Sequence, residues 1–427
     1  SACSVRKLRS GSWTSPEDSP AGAGETFPMR RRALIILSFV AFISLGLPDG
    51  LLGVAWPSIR ADFGLPVDAL GLFLIFSTAG YMTSGFFSGA LVRALGLGSL
   101  LGLSCAASGA ALAVYSIAPR WWIFVGFGVV GGLGAGAIDA GLNAYVDRNH
   151  SHRLMQWLHA SFGVGITLGP AIMTTGLALT GRWEPGYRLV AAAQILLAIA
   201  FIATRRLWHA AAPGSAEAAS EAPAPKDAST LESVLNLPSL VGMMLFTVYT
   251  GAEVGLGVWA YTLLTEARGV DPTVAGVITG SYWASFTVGR ILAGLLGPRI
   301  SLSRLVGWAV AAALGCVVLV WLDLGSVPTV IGIAGTGFLT APVFPGLMSD
   351  TRNRVEERHL TNSIGMQIAG AGLGASALPA LAGVLARRFG LETIPAYLAV
   401  TLAVLLLLFV GSHLRSRGAG SRHRRAS

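Results

Sequence analysis

LIILSFVAFISLGLPDGLLGVAW, residues 34–56, holds 23 consecutive positions with a single charged side chain, Asp49. Wound as an α-helix at about 1.5 Å per residue, it extends roughly 35 Å, enough to cross a hydrocarbon layer of about 30 Å. Eleven further runs of the same character follow, at 69–92, 97–117, 121–146, 155–180, 186–208, 237–263, 273–297, 304–323, 327–350, 361–386 and 392–413. The 427 residues are 53% hydrophobic and only 12% charged, which leaves too little polar surface for a soluble domain. Strands of a membrane barrel would alternate in polarity over about ten residues, and these runs do not. The expected fold class is therefore all-α integral membrane, with twelve transmembrane helices.

Between the runs the chain is short and polar, with three exceptions. Residues 1–28 are rich in Ser, Gly, Pro and charge and read as a disordered tail or tag ahead of Met29. Residues 209–236, Ala-, Pro- and Glu-rich, read as a solvated cytoplasmic linker, and 415–427 as a basic cytoplasmic tail. These divide the chain into six-helix bundles at 29–208 and 237–414. The run after Arg32 is too long, and has too many successors, for a cleaved signal. With the N terminus in the cytoplasm, 22 of the 30 basic residues fall on the cytoplasmic side, seven outside, and one, Arg290, within a helix. The positive-inside rule thus places both termini in the cytoplasm.

Several function classes are excluded. The net charge of +9 sits in loops and tails rather than on an aromatic-studded soluble face, so nucleic acid is not an expected partner. Lys7 and Lys226 are the only lysines, and neither follows a glycine-rich loop, which rules out ATP-driven pumping by a Walker A site in this chain. Cys3, Cys105 and Cys316 are far apart, and read as small hydrophobes rather than metal ligands or disulfide partners. With no HExxH and no Gly-x-Ser-x-Gly, no catalytic chemistry and no cofactor are expected.

The runs also repeat. Asp49-Gly-Leu-Leu-Gly53-Val54 in the first matches Glu253-Val-Gly-Leu-Gly257-Val258 in the seventh, at an offset of 204. Gly134-x-Gly136-x-x-x-Ala140 in the fourth matches Gly335-x-Gly337-x-x-x-Ala341 in the tenth, at an offset of 201. The fifth and eleventh share Gly-x-Gly followed by Pro170 or Pro379. Near-constant offsets in the same order predict two copies of six helices, with a site at their interface near mid-membrane.

Asp49, Asp139 and Glu253 are the acids that lie well inside apolar runs. A charged, unpaired carboxylate there costs several kcal/mol, so each is expected to face a cavity, find a partner or take up a proton. Pro48 removes a backbone donor and allows a local break in the helix beside Asp49, which sits roughly 10 Å below the outer end. Asp139 and Asn143, one turn apart in GAGAIDAGLNAY, share a face suited to hydroxyl groups. Gly132-x-x-x-Gly136-x-x-x-Ala140 reads as a ridge for close helix packing, since no strand precedes it. Arg290 is read as gating or structural, and His159 either bonds between helices or relays protons. Among the aromatics, Trp259 and Trp283 are candidates to stack on a sugar ring, while Trp56 and Tyr261 end their runs at the interface.

Gly89-Ala-Leu91-Val-Arg93-Ala-Leu-Gly96 resembles the loop motif of the major facilitator superfamily, and the pattern of runs from about 30 to 414 is similar to that superfamily throughout. Arg93 stands where the motif carries an Asp, and is read as gating or structural. Within the superfamily, Asp49 with Leu51 and Leu52, Gly136-Ala-Ile-Asp139-Ala-Gly-Leu-Asn143, and Leu158-His159-Ala160-x-x-Gly163-x-Gly165 resemble the fucose permease group of sugar and proton symporters. The resemblance implies alternating access driven by a proton gradient, with Asp49 and Asp139 in proton coupling and sugar binding; Glu253, at the equivalent depth in the second half, is read as a third coupling acid. The expected solute is a small polar molecule such as a monosaccharide, bound by Asp139 and Asn143, with Trp259 and Trp283 as the candidates to stack on it. Gly169-Pro170 resembles the fifth-helix signature of drug antiporters, which leaves proton-coupled efflux as the alternative.

Overall fold

In the computed structural model, residues 23–210, 228–296 and 302–426 are described. The expected tail up to residue 22 and the expected linker from 211 to 227 therefore lie outside the described residues. Helices α1 to α6 are Ala23–Asp62, Ala69–Leu95, Leu97–Tyr115, Trp121–Asn149, His152–Thr180 and Glu184–Ala210. After the short α7 (Thr230–Leu235) come α8 (Leu237–Thr262), extended by a π turn over Leu263–Ala267, then α9 (Pro272–Leu296) and α10 (Leu302–Leu322). The tenth run is split into α11 (Ser326–Thr340) and α12 (Val343–Ser349); the one-turn α13 (Thr351–Arg354) leads to α14 (Leu360–Phe389) and α15 (Thr393–Ala426). Among the described residues, eleven helical spans are long and apolar enough to cross a membrane. Helix α9, at 25 residues, has the length to be the twelfth.

The duplication is visible in the packing. In the first half α1 packs on α5, α2 on α4 and α3 on α6; in the second, α8 packs on α14, α9 on α11 and α10 on α15. The halves meet where α5 lies on α9, α2 on α14 and α1 on α8.

Helix α1 does not break at Pro48. Proline leaves the carbonyl four residues earlier without its helical donor, and that carbonyl, on Ser44, instead accepts from Nε2 of Gln194 on α6 at 3.1 Å. With the freed group satisfied by a neighbouring helix, α1 has no need to unwind. Gln194→Leu is expected to leave the Ser44 carbonyl unpaired at a buried position and to cost about 1–3 kcal/mol, read as a lower melting temperature in detergent. The break occurs instead at Ala341–Pro342, between α11 and α12.

The described end of the linker is not wholly solvated. Ser229 caps α7 and forms a reciprocal pair with Glu232. The segment is tied to the start of α14, where Ala228 N donates to Arg358 O at 2.8 Å and Asn362 Nδ2 donates to the Ala228 carbonyl at 2.8 Å.

Candidate functional site

The site begins with glycines that let α4 and α2 touch. A Cβ on Gly132 would lie 2.9 Å from Tyr81 N, and one on Gly136 would lie 2.9 Å from Tyr81 C, so these positions admit no side chain. This is the packing ridge expected of Gly132-x-x-x-Gly136. With the backbones this close, the Tyr81 hydroxyl reaches across and donates to Oδ2 of Asp139. From the next turn of α4, Asn143 Nδ2 donates to Oδ1 at 2.9 Å. Both oxygens of Asp139 are thus held by donors, and the carboxylate is half-buried at the edge of an open space. Tyr81 is 38% exposed on the same wall.

Asp49 faces that space from α1. It is exposed although Leu47, Gly50 and Leu51 beside it are buried, and Tyr81 and Tyr187 both feel its charge. On the other side of the space, half-buried Glu253 lies within reach of the Arg290 charge and beside the Tyr249 hydroxyl, which donates to Thr340 O at 3.0 Å. The Arg290 guanidinium sits 4.4 Å from the Phe286 ring centre, and its charge also reaches His159 of α5. His159 packs edge-on against Phe42. Arg290 and His159 therefore lie where α9 meets α5, between the halves.

The two tryptophans do not line the site, and their expected stacking on solute is corrected. Trp259 is 0% exposed, with its Nε1 donating to Pro379 O at 3.0 Å, and Trp283 is 4% exposed, packed against Gly257 and Tyr282. Large rings fill the spaces that glycines leave between α8, α9 and α14. Arg93 is exposed near the end of α2, away from the acids. Tyr81 was not among the residues singled out from the sequence.

The open space closes at the end opposite the termini. Two ion pairs, among the described residues, join the halves there: Arg60 at the end of α1 with Glu266 after α8, and Asp68 before α2 with Arg387 on α14, the latter at 3.3 Å. Beyond Asp49, α1 is buried through Trp56, and α8 is buried from Gly255 through Leu264. The halves are therefore held together at the end opposite the termini. Glu266→Arg sets two like charges together in place of a partly buried pair. It is expected to lengthen the distance between spin labels at Ala61 and Ala267, measured by pulsed electron resonance, as the far end opens.

The sequence matches the model of the Major Facilitator Superfamily over residues 34–325. The chain belongs to that superfamily. It is a multi-pass membrane transporter rather than an enzyme, and its solute is a small molecule. It is 22% identical to Bypass of stop codon protein 6 of Saccharomyces cerevisiae over 90% of this chain and 84% of that one. It is 21% identical to Sodium-dependent glucose transporter 1 of Homo sapiens, covering 82% and 73%. The crystal structure of the nucleoside transporter NupG superposes with a TM-score of 0.73 at 12% identity, over 89% of this chain and 99% of the other. A superfamily fold whose halves pack as two copies thus carries exposed Asp49 and the Asp139 cluster in its first half, and Glu253 within reach of Arg290 in its second.

Proposed function

We propose that this transporter is a proton-coupled symporter of a small polar solute, such as a monosaccharide, working by alternating access between its two six-helix halves. The observation that carries the reading is the Asp139 carboxylate, held by a phenol and an amide on the wall of an open cavity, with Asp49 exposed in the same space. A carboxylate among hydroxyl and amide donors suits a polyhydroxylated solute, and a second, freely facing carboxylate is free to carry a proton. Glu253, within reach of Arg290, is the third group whose charge the cycle would alter. His159 and Arg290, at the seam of the halves, would act in gating. Similarity to a protein named as a glucose transporter supports the sugar class. No cofactor is invoked, since the proton gradient supplies the driving force. The location proposed is the cell membrane, and the distribution of basic residues supports an orientation with both termini cytoplasmic.

The test is uptake of radiolabelled glucose, fucose and galactose into proteoliposomes, with and without an imposed pH gradient and in the presence or absence of sodium. A sugar signal that rises with an inward proton gradient and ignores sodium is expected. A signal driven by sodium alone overturns proton coupling, and one indifferent to both reduces the reading to facilitated diffusion. Export of lipophilic cations without sugar uptake overturns the substrate class.

A further inference from the structure

The repeat sets two tyrosines at corresponding places and gives them different work. Tyr81 and Tyr282 are 201 positions apart, the offset that also relates Gly136 to Gly337 and Asp139 to Thr340. Their helix crossings are alike: a Cβ on Gly136 would lie 2.9 Å from Tyr81 C, and one on Gly337 would lie 3.0 Å from Tyr282 C. The side chains then diverge. Tyr81 lines the cavity and donates to the Asp139 carboxylate, whereas Tyr282 is 0% exposed and donates to the backbone carbonyl of Glu253 at 2.7 Å. Where the first half has Asp139, the second has Thr340, which is 1% exposed with its hydroxyl bonded to carbonyls of its own helix. Where the first half has Asn143, the second has Phe344, packed edge-on against Phe246. The second copy thus keeps a buried Tyr282–Thr340 hydroxyl pair but has lost the carboxylate and the amide.

We propose that the solute is anchored by the first half alone, with Tyr81 positioning Asp139 for it, and that Tyr282 has become a brace that ties α9 to α8. This rests on the reading of Asp139 as a solute-binding carboxylate. The Tyr81 hydroxyl occupies one oxygen of Asp139 and has lone pairs of its own to accept from a solute hydroxyl. Removing it leaves the carboxylate held by Asn143 only, so that the solute meets an acid free to rotate. A hydrogen bond to a charged group is worth enough that its loss should weaken solute binding about tenfold or more. In the second half the corresponding loss removes a bond between helices and touches no solute.

The experiment compares Tyr81→Phe, Tyr282→Phe and Asp139→Asn as full-length protein in proteoliposomes, measuring counterflow exchange of radiolabelled glucose, fucose and galactose, with melting temperatures taken in detergent. Tyr81→Phe is expected to raise KM about tenfold or more while the maximal exchange rate and the melting temperature stay near those of the unmodified protein. Tyr282→Phe should leave KM within about twofold and lower the melting temperature. Equal rises in KM for the two tyrosine variants would show that both halves hold solute and would overturn the proposal. An unchanged KM for Tyr81→Phe, beside an Asp139→Asn protein that has lost exchange, overturns the role of Tyr81 while leaving Asp139 intact. An Asp139→Asn protein with unchanged KM, or no exchange of any of the three sugars by the unmodified protein, overturns the underlying function and this inference with it.

Discussion

Asp49→Asn is expected to abolish accumulation driven by a pH gradient while leaving exchange of labelled solute nearly untouched. Asparagine fills the same volume and keeps a polar head toward the cavity, but it takes up no proton near neutral pH. Asp49 is exposed while its neighbours Leu47, Gly50 and Leu51 are buried, so the substitution disturbs no packing. One pH unit corresponds to about 1.4 kcal/mol, and for one proton per solute it supports up to about tenfold accumulation. In the variant the internal and external solute concentrations should come level, whatever gradient is imposed. Retained uphill uptake would remove Asp49 from the coupling and leave Asp139 or Glu253 to supply it.

The second large effect concerns assembly. At Gly50, α1 meets α5 backbone to backbone: a Cβ there would lie 2.9 Å from Pro170 Cδ and 3.0 Å from Gly169 Cα. Neither atom belongs to a flexible side chain, so Gly50→Leu can be accommodated only if the helices part along their length. Overpacking of one or two carbons costs about 1–3 kcal/mol, and four carbons at a backbone contact should exceed the upper figure. Loss of the monodisperse peak on size exclusion is expected. Gly126→Leu is the matched control, because a Cβ on Gly126 meets nothing within 4 Å. That variant should run and melt like the unmodified protein; if both collapse, helix insertion rather than packing is at fault.

The helices themselves were legible because each crossing must satisfy its own backbone in lipid, which requires long unbroken apolar runs. The runs at 97–117 and 121–146 thus correspond closely to α3, Leu97–Tyr115, and α4, Trp121–Asn149. The pairing of Asn143 with Asp139 was legible too, since it is one helical turn. Tyr81 was not, because its partner is 58 residues away and the bond depends on how closely two glycine-bearing helices approach. The repeat held a usable signal, for Tyr81 and Tyr282 share the offset that relates Gly136 to Gly337. Trp259 and Trp283 misled for the opposite reason: residue type marks them as able to stack on a sugar, and only packing decides whether a ring faces a cavity or another helix.

Pro48 and Pro342 show where that division lies. Both remove a helical donor, but Pro342 is followed by Pro345, which removes a second within the same turn, whereas Pro48 stands alone. At Pro48 the freed Ser44 carbonyl finds Gln194, 150 residues along the chain, and α1 continues; at Pro342 the helix breaks into α11 and α12. Sequence alone determined what each segment must bury and how many times the chain crosses, because those follow from the solvent and the local backbone. Tertiary structure alone decided which neighbour takes up the carbonyl freed by Pro48, which acid is exposed and which tyrosine meets Asp139, because each depends on a residue that only the packed bundle brings into reach.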